Sequence, residues 1–369
     1  MRVFMSAGEA SADALGASLI AELRRRSPDL EVFGMGGPAM RAQGMTIWRD
    51  ATELNVVGLI EVLRHLPRLF RLLWDLADRG VAAKPDLAIL IDAPDFNVRL
   101  ARYFHRANIR VAYYVGPSVW AWRSGRAKKF ARVVDKMLVL FPFELSAWSQ
   151  AGLAAVCVGH PLADEITKAL VPQRHTIAIL PGSRRSEVAR HLGLLLEAGA
   201  KLVNEGHADR LVLPVAPTLD ASLLQQKIDL SPARGLVDLV LAPHGDPGPR
   251  RNAVAASRLA LVCSGTATLE VALLGTPSVI VYRVSPLSWW IGRRMTKLEH
   301  LGLPNLLMGR SIVPELLQDA LSVESLIEAA KQVLADPDTQ RKDLAEMRAV
   351  LGAGGASARA ADAVLQLGS

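Results

Sequence analysis

Short, unbroken apolar runs recur along this chain, each followed by a stretch in which apolar residues return every three or four positions. In the first half the runs are Val3–Ser6, Glu31–Gly34, Leu87–Ile91, Val111–Val115, Met137–Leu140 and Ala155–Val158. Runs of this kind predict parallel strands buried on both faces. Ser11–Arg26 carries Leu15, Leu19, Ile20 and Leu23 at helical spacing, and a second helical pattern fills 56–79. Gly34-Met-Gly-Gly-Pro38 predicts a turn ending the second strand. At 165–175, around Pro172-Gln-Arg-His175, the rhythm breaks, which predicts a linker. It then restarts with strands at Thr176–Leu180, Arg210–Pro214, Leu259–Cys263 and Ser278–Tyr282, and a helical tail from about Val323 broken at Gly352–Gly355. The pattern predicts an α/β protein of two Rossmann-like domains in tandem, with a cleft between them. The expected division is an N-terminal domain at 1–170, a C-terminal domain at 171–345, and a tail at 346–369 able to pack back on the first.

Composition narrows the class. A chain of 369 residues suits two cores rather than one. Cys157 and Cys263 have no metal-ligand spacing, so they are expected as reduced core residues of a cytosolic protein. Met1-Arg-Val-Phe-Met reads as a strand rather than a leader, and no run reaches the ~18 apolar residues of a membrane span. The net charge of +7 comes mostly from arginine. Nucleic acid, a phosphorylated substrate or an anionic membrane would each balance it, but no nucleic-acid motif is present, so the last two are expected. No Asp-X-Asp pair lies at the strand-end loops to recruit a divalent metal, and there is no His/Cys cluster, so neither a metal nor a cofactor is implied.

Four loops at strand ends carry candidate chemistry, because open α/β sheets bind ligands beyond the carboxyl ends of their strands. Ser6-Ala-Gly-Glu-Ala-Ser-Ala-Asp13 has small residues that let backbone N–H groups approach a ligand, with Glu9, Ser11 and Asp13 as polar candidates; Ser11 alternatively caps the helix. Asp92-Ala-Pro-Asp95-Phe-Asn97 ends the most apolar strand in acids. Asp92 suits a general base and Asp95 suits a helix cap. Pro181-Gly182-Ser183-Arg184 offers backbone, hydroxyl and guanidinium donors to a phosphate, or is a solvated turn. Ser264-Gly265-Thr266, followed by Glu270, suits a pyrophosphate at a helix start, with Glu270 reaching ribose hydroxyls; the plainer reading makes them a cap and a first-turn acid. His160 follows a strand and either lines the cleft or makes a structural hydrogen bond. Within 56–79, Arg64, Arg68 and Arg71 share one helical face beside Phe70 and Trp74. That suits an interfacial helix on anionic lipid or an ordinary sheet-covering helix, and Pro67 predicts a kink or restart.

Read together, these motifs resemble the lipid A disaccharide synthase family. The resemblance runs through Ser6–Asp13, Gly58–Leu63, Ile91–Asn97, Pro117-Ser-Val-Trp120-Ala-Trp-Arg123, Phe141–Glu144, Gly159–Pro161, Leu180–Arg184, Ser264–Glu270 and Leu303-Pro-Asn305-Leu-Leu307, in order. Two departures stand out: Ala12 where the family usually has Gly, and Gly116 where it usually has Ser. The resemblance implies a B-type inverting glycosyltransferase of Gram-negative bacteria. It would join UDP-2,3-diacylglucosamine to 2,3-diacylglucosamine 1-phosphate (lipid X), with the acceptor on the first domain and the nucleotide on the second. It implies Asp92 as base and Arg184 on the leaving diphosphate. Glu9, Ser11, Asp13, Asp95, Asn97, Trp120, Arg123, His160, Gly182, Ser183, Ser264, Gly265, Thr266, Glu270 and Asn305 would contact substrate. The acylated substrates imply peripheral attachment to the cytoplasmic face of the inner membrane, and a homodimer is left open. The rivals are another B-type transferase or a UDP-sugar epimerase of the same architecture and, from a different class, a nucleotide-binding module with no chemistry or a Rossmann dehydrogenase. The absence of Gly-X-Gly-X-X-Gly in the first loop argues against the dehydrogenase.

Overall fold

The structure is a computed structural model that describes residues 1–54, 59–117, 119, 124–167, 175–243, 246–285, 289, 299–352 and 354–368; for 10, 59–66 and 124 the backbone alone is described. The chain forms two compact units, Met1–Asp164 with Gly354–Ser369, and Glu165–Ala353.

In the first unit the order is β1 (Arg2–Ala7), α1 (Ala10–Arg26), β2 (Glu31–Gly36), α2 (Pro38–Ala42), β3 (Thr46–Asp50), α3 (Leu59–Ala82), β4 (Leu87–Ile91), α4 (Pro94–Arg106), β5 (Arg110–Tyr114), α5 (Ser124–Phe130), β6 (Lys136–Val139), α6 (Leu145–Gln150), β7 (Ala155–Cys157) and α7 (Leu162–Glu165). The strands are parallel in the order β3-β2-β1-β4-β5-β6-β7. One face carries Phe4, Met35, Leu90, Tyr113 and Met137, and α3, α4, α5 and α6 cover it with Leu76, Phe104, Phe130 and Trp148. Phe4 and Phe104 meet with ring centroids 4.7 Å apart.

The second unit repeats the plan: β8 (Thr176–Leu180), α8 (Arg185–Asn204), β9 (Arg210–Pro214), α9 (Ala221–Asp229), β10 (Val237–Val240), α10 (Gly248–Ala256), β11 (Leu259–Cys263), α11 (Thr266–Leu274), β12 (Ser278–Tyr282), α12 (Leu303–Met308), β13 (Glu315–Leu317), α13 (Val323–Ala335) and α14 (Pro337–Leu351). Its parallel sheet runs β10-β9-β8-β11-β12-β13. The last helix, α15 (Ala356–Gly368), belongs to the first unit and packs against α1, β5 and β6.

Each sheet therefore reverses its winding once, between β1 and β4 and between β8 and β11. Ala7 lies in register with Ile91, and Leu180 with Val262. The four loops singled out in the sequence leave these four strands, so they gather in pairs at the two switch points, where α/β sheets bind ligands.

Two local expectations change. Gly34 is not a turn but the interior of β2, beside a register shift against β3. Its φ is +136°, and a Cβ there would lie 2.2 Å from the carbonyl oxygen of Met5, so only glycine fits. The helix α3 runs without restart through Pro67, which is exposed, so water can serve the backbone group its missing N–H leaves unpaired.

Candidate active site

At the first switch point, β4 passes into Asp92 and Ala93, both left-handed with φ of 51° and 45°. Such conformations cost roughly 1–3 kcal/mol each for residues other than glycine and persist only where the surroundings enforce them. The enforcement is visible. The Asp92 N–H donates to Tyr114 O (2.9 Å), while its carbonyl accepts from Asn97 Nδ2 (2.9 Å) and the Tyr113 hydroxyl (2.5 Å). Asn97 is fully buried and its Oδ1 accepts from Ser6 Oγ at 2.8 Å, which ties the corner to β1. Burial pushes the Tyr113 phenol well above its ordinary range, so it remains a donor. The Asp92 carboxyl is itself half-buried. Desolvation raises its proton affinity, and the nearby charge of Glu9 adds to the effect.

Neither acid of the corner caps α4: the N-cap position is Ala93, without a side-chain cap bond. Asp95, expected as the cap, is exposed in the first turn and pairs closely with Arg126 of α5. Gly8 packs against Ala93, since a Cβ there would lie 3.0 Å from that methyl group, so the first βα loop sits against the acid corner. Glu9, not Ser11, holds the N-cap position of α1 and makes no side-chain cap bond; both are exposed. Asp13 is buried and accepts from the N–H groups of Gly37 (2.7 Å), Ala39 (2.9 Å) and Met40 (3.1 Å), capping α2 from α1. His160 Nδ1 accepts from Leu162 N at 3.2 Å, and burial lowers this imidazole to about 4.

At the second switch point Gly182 (φ +109°) lets the chain fold over Glu187, whose Oε2 would lie 2.5 Å from a Cβ at 182. That carboxylate accepts from Ser183 N (2.9 Å), a backbone donor expected to face a phosphate, and from Arg184 N (3.1 Å). The Arg184 guanidinium touches Glu187 Oε1 at 3.1 Å but is 80% exposed. On the β11 side, Gly265 and Thr266 stand exposed at the start of α11, without a side-chain cap, and the Ser264 hydroxyl donates to Leu301 O (3.3 Å). Glu270 is held by Arg251 Nε at 2.6 Å, and Arg251 also reaches Glu165 at 2.6 Å.

Asn305 is fully buried, with its amide engaged on both sides. It donates to Val313 O (2.7 Å) and Glu315 Oε1 (2.6 Å) and accepts from Ile312 N (2.7 Å) and Val313 N (2.9 Å). Asp13, Asn97 and Asn305 thus shape the loops from behind, whereas Glu9, Ser11, Asp95, Ser183, Arg184, Gly265 and Thr266 face solvent. Trp120 and Arg123 lie outside the described residues. Cys157 and Cys263 are free thiols; desolvation raises both, the latter to about 12.

Comparison with known proteins decides what these loops belong to. The sequence pattern of the family described as lipid-A-disaccharide synthetase matches residues 3–367. The lipid-A-disaccharide synthase of Myxococcus xanthus is 41% identical over 99% of this chain and 97% of its own length, and that of Koribacter versatilis is 42% identical over 100% and 98%. This chain belongs to that family. Its members are hexosyltransferases of lipid A biosynthesis. Among solved structures the fold resembles a UDP-GlcNAc 2-epimerase from Neisseria meningitidis bound to UDP-GlcNAc (TM-score 0.68, 14% identity, 99% of this chain and 100% of that one). It also resembles the glycosyltransferase of kitacinnamycin (TM-score 0.66, 15% identity, 99% and 98%). At such identities the likeness speaks for the two-domain fold alone.

Family membership gives the departures and the arginine-rich helix a context. A side chain at position 116 would meet Trp148 Cζ2 at 2.7 Å and Met137 Sδ at 2.8 Å, so Gly116 makes room for this chain's own core. Along α3, Leu72, Leu73, Leu76 and Ala77 are buried, while Arg68 and Arg71 are exposed beside Phe70 and Trp74, which is 53% exposed. The Arg99 guanidinium of α4 lies 5.3 Å over the Phe70 ring. The Arg64 side chain lies outside the described residues. Among the described residues no helix is long and apolar enough to cross a membrane.

Proposed function

We propose that the chain transfers a 2,3-diacylglucosaminyl group from UDP to O6 of 2,3-diacylglucosamine 1-phosphate, giving a β-1′,6-linked disaccharide 1-phosphate and UDP. Full-length membership of the family carries this reading. The first unit takes the acceptor and the second the donor. O6 forms its bond to C1 from the side opposite the diphosphate, the C1–O bond to the diphosphate breaks, and its electron pair leaves with UDP. The Asp92 carboxylate accepts the O6 proton; a proton affinity raised by burial makes it a stronger base than a solvated aspartate. Arg184 meets the charge growing on the diphosphate, together with the exposed N–H groups at the head of α11. Glu9 and Ser11 meet the acceptor's polar groups, and Glu270, held by Arg251, faces the nucleotide sugar.

Both substrates are acylated, so the protein works at a lipid surface. In this reading Phe70 and Trp74 enter the interface of the inner membrane's cytoplasmic leaflet, with Arg64, Arg68 and Arg71 against lipid phosphates. Changing the three arginines to Glu should release the protein from anionic vesicles in a flotation assay. Undiminished flotation would move the contact elsewhere.

The deciding measurement for the reaction is UDP release from the acylated donor with and without lipid X. Release that requires lipid X, with a tetraacyl disaccharide phosphate formed, supports the reading. Release without lipid X points to hydrolysis or another acceptor, and no release in detergent rejects transfer. Conversion of non-acylated UDP-N-acetylglucosamine would favour an epimerase.

A further inference from the structure

His191 is the most deeply buried titratable residue near the second switch point, 1% exposed on α8, one turn beyond Glu187. Its two ring nitrogens face fixed partners. Nε2 lies 2.9 Å from the backbone N–H of Arg283, which can only donate, so Nε2 accepts. Nδ1 then carries the hydrogen and donates to Glu187 O at 2.8 Å, with Cys263 Sγ at 3.6 Å beside it. The ring lies nearly parallel to that of Tyr282, centroids 6.2 Å apart. Both partners are anchored in turn. The Arg283 guanidinium reaches the carbonyls of Gln318 and Leu321, and Gln318 exchanges two hydrogen bonds with Val284 (3.1 and 2.9 Å). Glu187 holds the N–H groups of Ser183 and Arg184. One imidazole thus pins the turn that shapes the Gly182–Arg184 loop to the exit of β12, with the end of β11 alongside.

We infer that His191 is a positioning residue for the donor diphosphate: the neutral ring sets where Ser183 and Arg184 stand relative to β11 and β12. The inference rests on the reading of the second unit as the donor side. It has a built-in pH response. Charged groups face the ring from its own helix, Glu187 and Arg190, and from the end of β12, Arg283; Cys263 and Tyr282 flank it from β11 and β12. Protonation would set an Nε2–H against the Arg283 N–H, two donors head-on, and break the pin. Desolvation lowers the proton affinity, so the pin holds at neutral pH and fails only on acidification.

The test titrates UDP into the full-length protein by calorimetry, alongside amide hydrogen exchange of residues 181–190 measured without ligand. In His191→Phe the Arg283 N–H loses its acceptor, and UDP should bind about tenfold more weakly with faster exchange of that segment. In His191→Gln the amide oxygen can take over the acceptor role. UDP binding near pH 8 should then stay within about twofold of the parent and lose the weakening the parent shows at acid pH. A folded Phe variant that binds and exchanges like the parent overturns the inference. If that variant does not fold, a Gln variant with the parent's full acid response overturns it. A parent that binds no UDP rejects the donor-side reading instead, and the exchange data alone then decide whether His191 holds the loop.

Discussion

The two switch points share one topology and have opposite electrostatic designs. At the first, a carboxylate sits on a left-handed backbone clamped by neutral donors, Asn97 and Tyr113, and burial makes it hold a proton more tightly. At the second, a carboxylate is the internal part: Glu187 occupies the backbone donors of its own loop and leaves the Arg184 cation in solvent. In the proposed reading the first corner accepts a proton and the second an anion. The two corners share a place in the fold and differ in charge, a half-buried acid at one and an exposed cation at the other.

The comparison is broken most severely at Asp92. Asp92→Asn should lower turnover by roughly 10²–10⁴-fold while leaving UDP affinity unchanged by calorimetry, because only the first corner loses its base. A variant that keeps near-parental rate makes Asp92 structural. Arg184→Ala should cost about 10²-fold in kcat/KM and weaken UDP binding as well, the mirror image of the Asp92 result. Unchanged UDP affinity would remove Arg184 from the diphosphate.

Tyr113→Phe is a finer probe. It removes one O–H from the Asp92 carbonyl, and about a tenfold fall in kcat with unaltered UDP binding is expected. The acid limb of kcat, which should lie above the ordinary aspartate range in the parent, would shift as the corner loosens; a purely structural role would leave that limb in place. The smallest effect is silent at neutral pH. His160 is lowered to about 4 in the folded chain from about 6.5 unfolded, so it stays neutral when folded while the unfolded chain takes up a proton. Its contribution is intact above about pH 6.5 and is lost as pH falls towards 4, by up to about 3 kcal/mol, and His160→Gln should flatten that loss in urea melts.

The inner strands were legible because burial on both faces leaves continuous apolar runs such as Leu87–Ile91 and Leu259–Cys263. The strands that escaped reading, Thr46–Asp50, Val237–Val240 and Glu315–Leu317, are all edges of their sheets, and Arg49, Asp238 and Glu315 interrupt or shorten their apolar runs. Gly34 read as a turn because nothing local reveals that Met5 O fills the space of its side chain. The loops at both switch points were readable by residue type and strand position, but their internal wiring was not. Asp13 meets N–H groups more than twenty residues away, and Tyr113 looked like any core aromatic in an apolar strand. His191 and Arg251 gave no signal, since each acts through a partner brought near only by the fold.

The helix Ala356–Gly368 lays Ala356, Ala360, Ala361, Ala363 and Val364 into the first unit. It is fastened there by Arg26 to Asp362 (2.8 Å), Arg110 to Leu367 O (2.5 Å) and Arg359 to Val158 O (2.9 Å). Everything from Glu165 to Ala353 is in effect an insertion within that unit. During synthesis the portion made first therefore waits longest for completion: α1, β5 and β6 lack the helix that packs on them while the whole second unit emerges. A chain released just after residue 353 would carry every residue of the second unit and still lack the helix that completes the first.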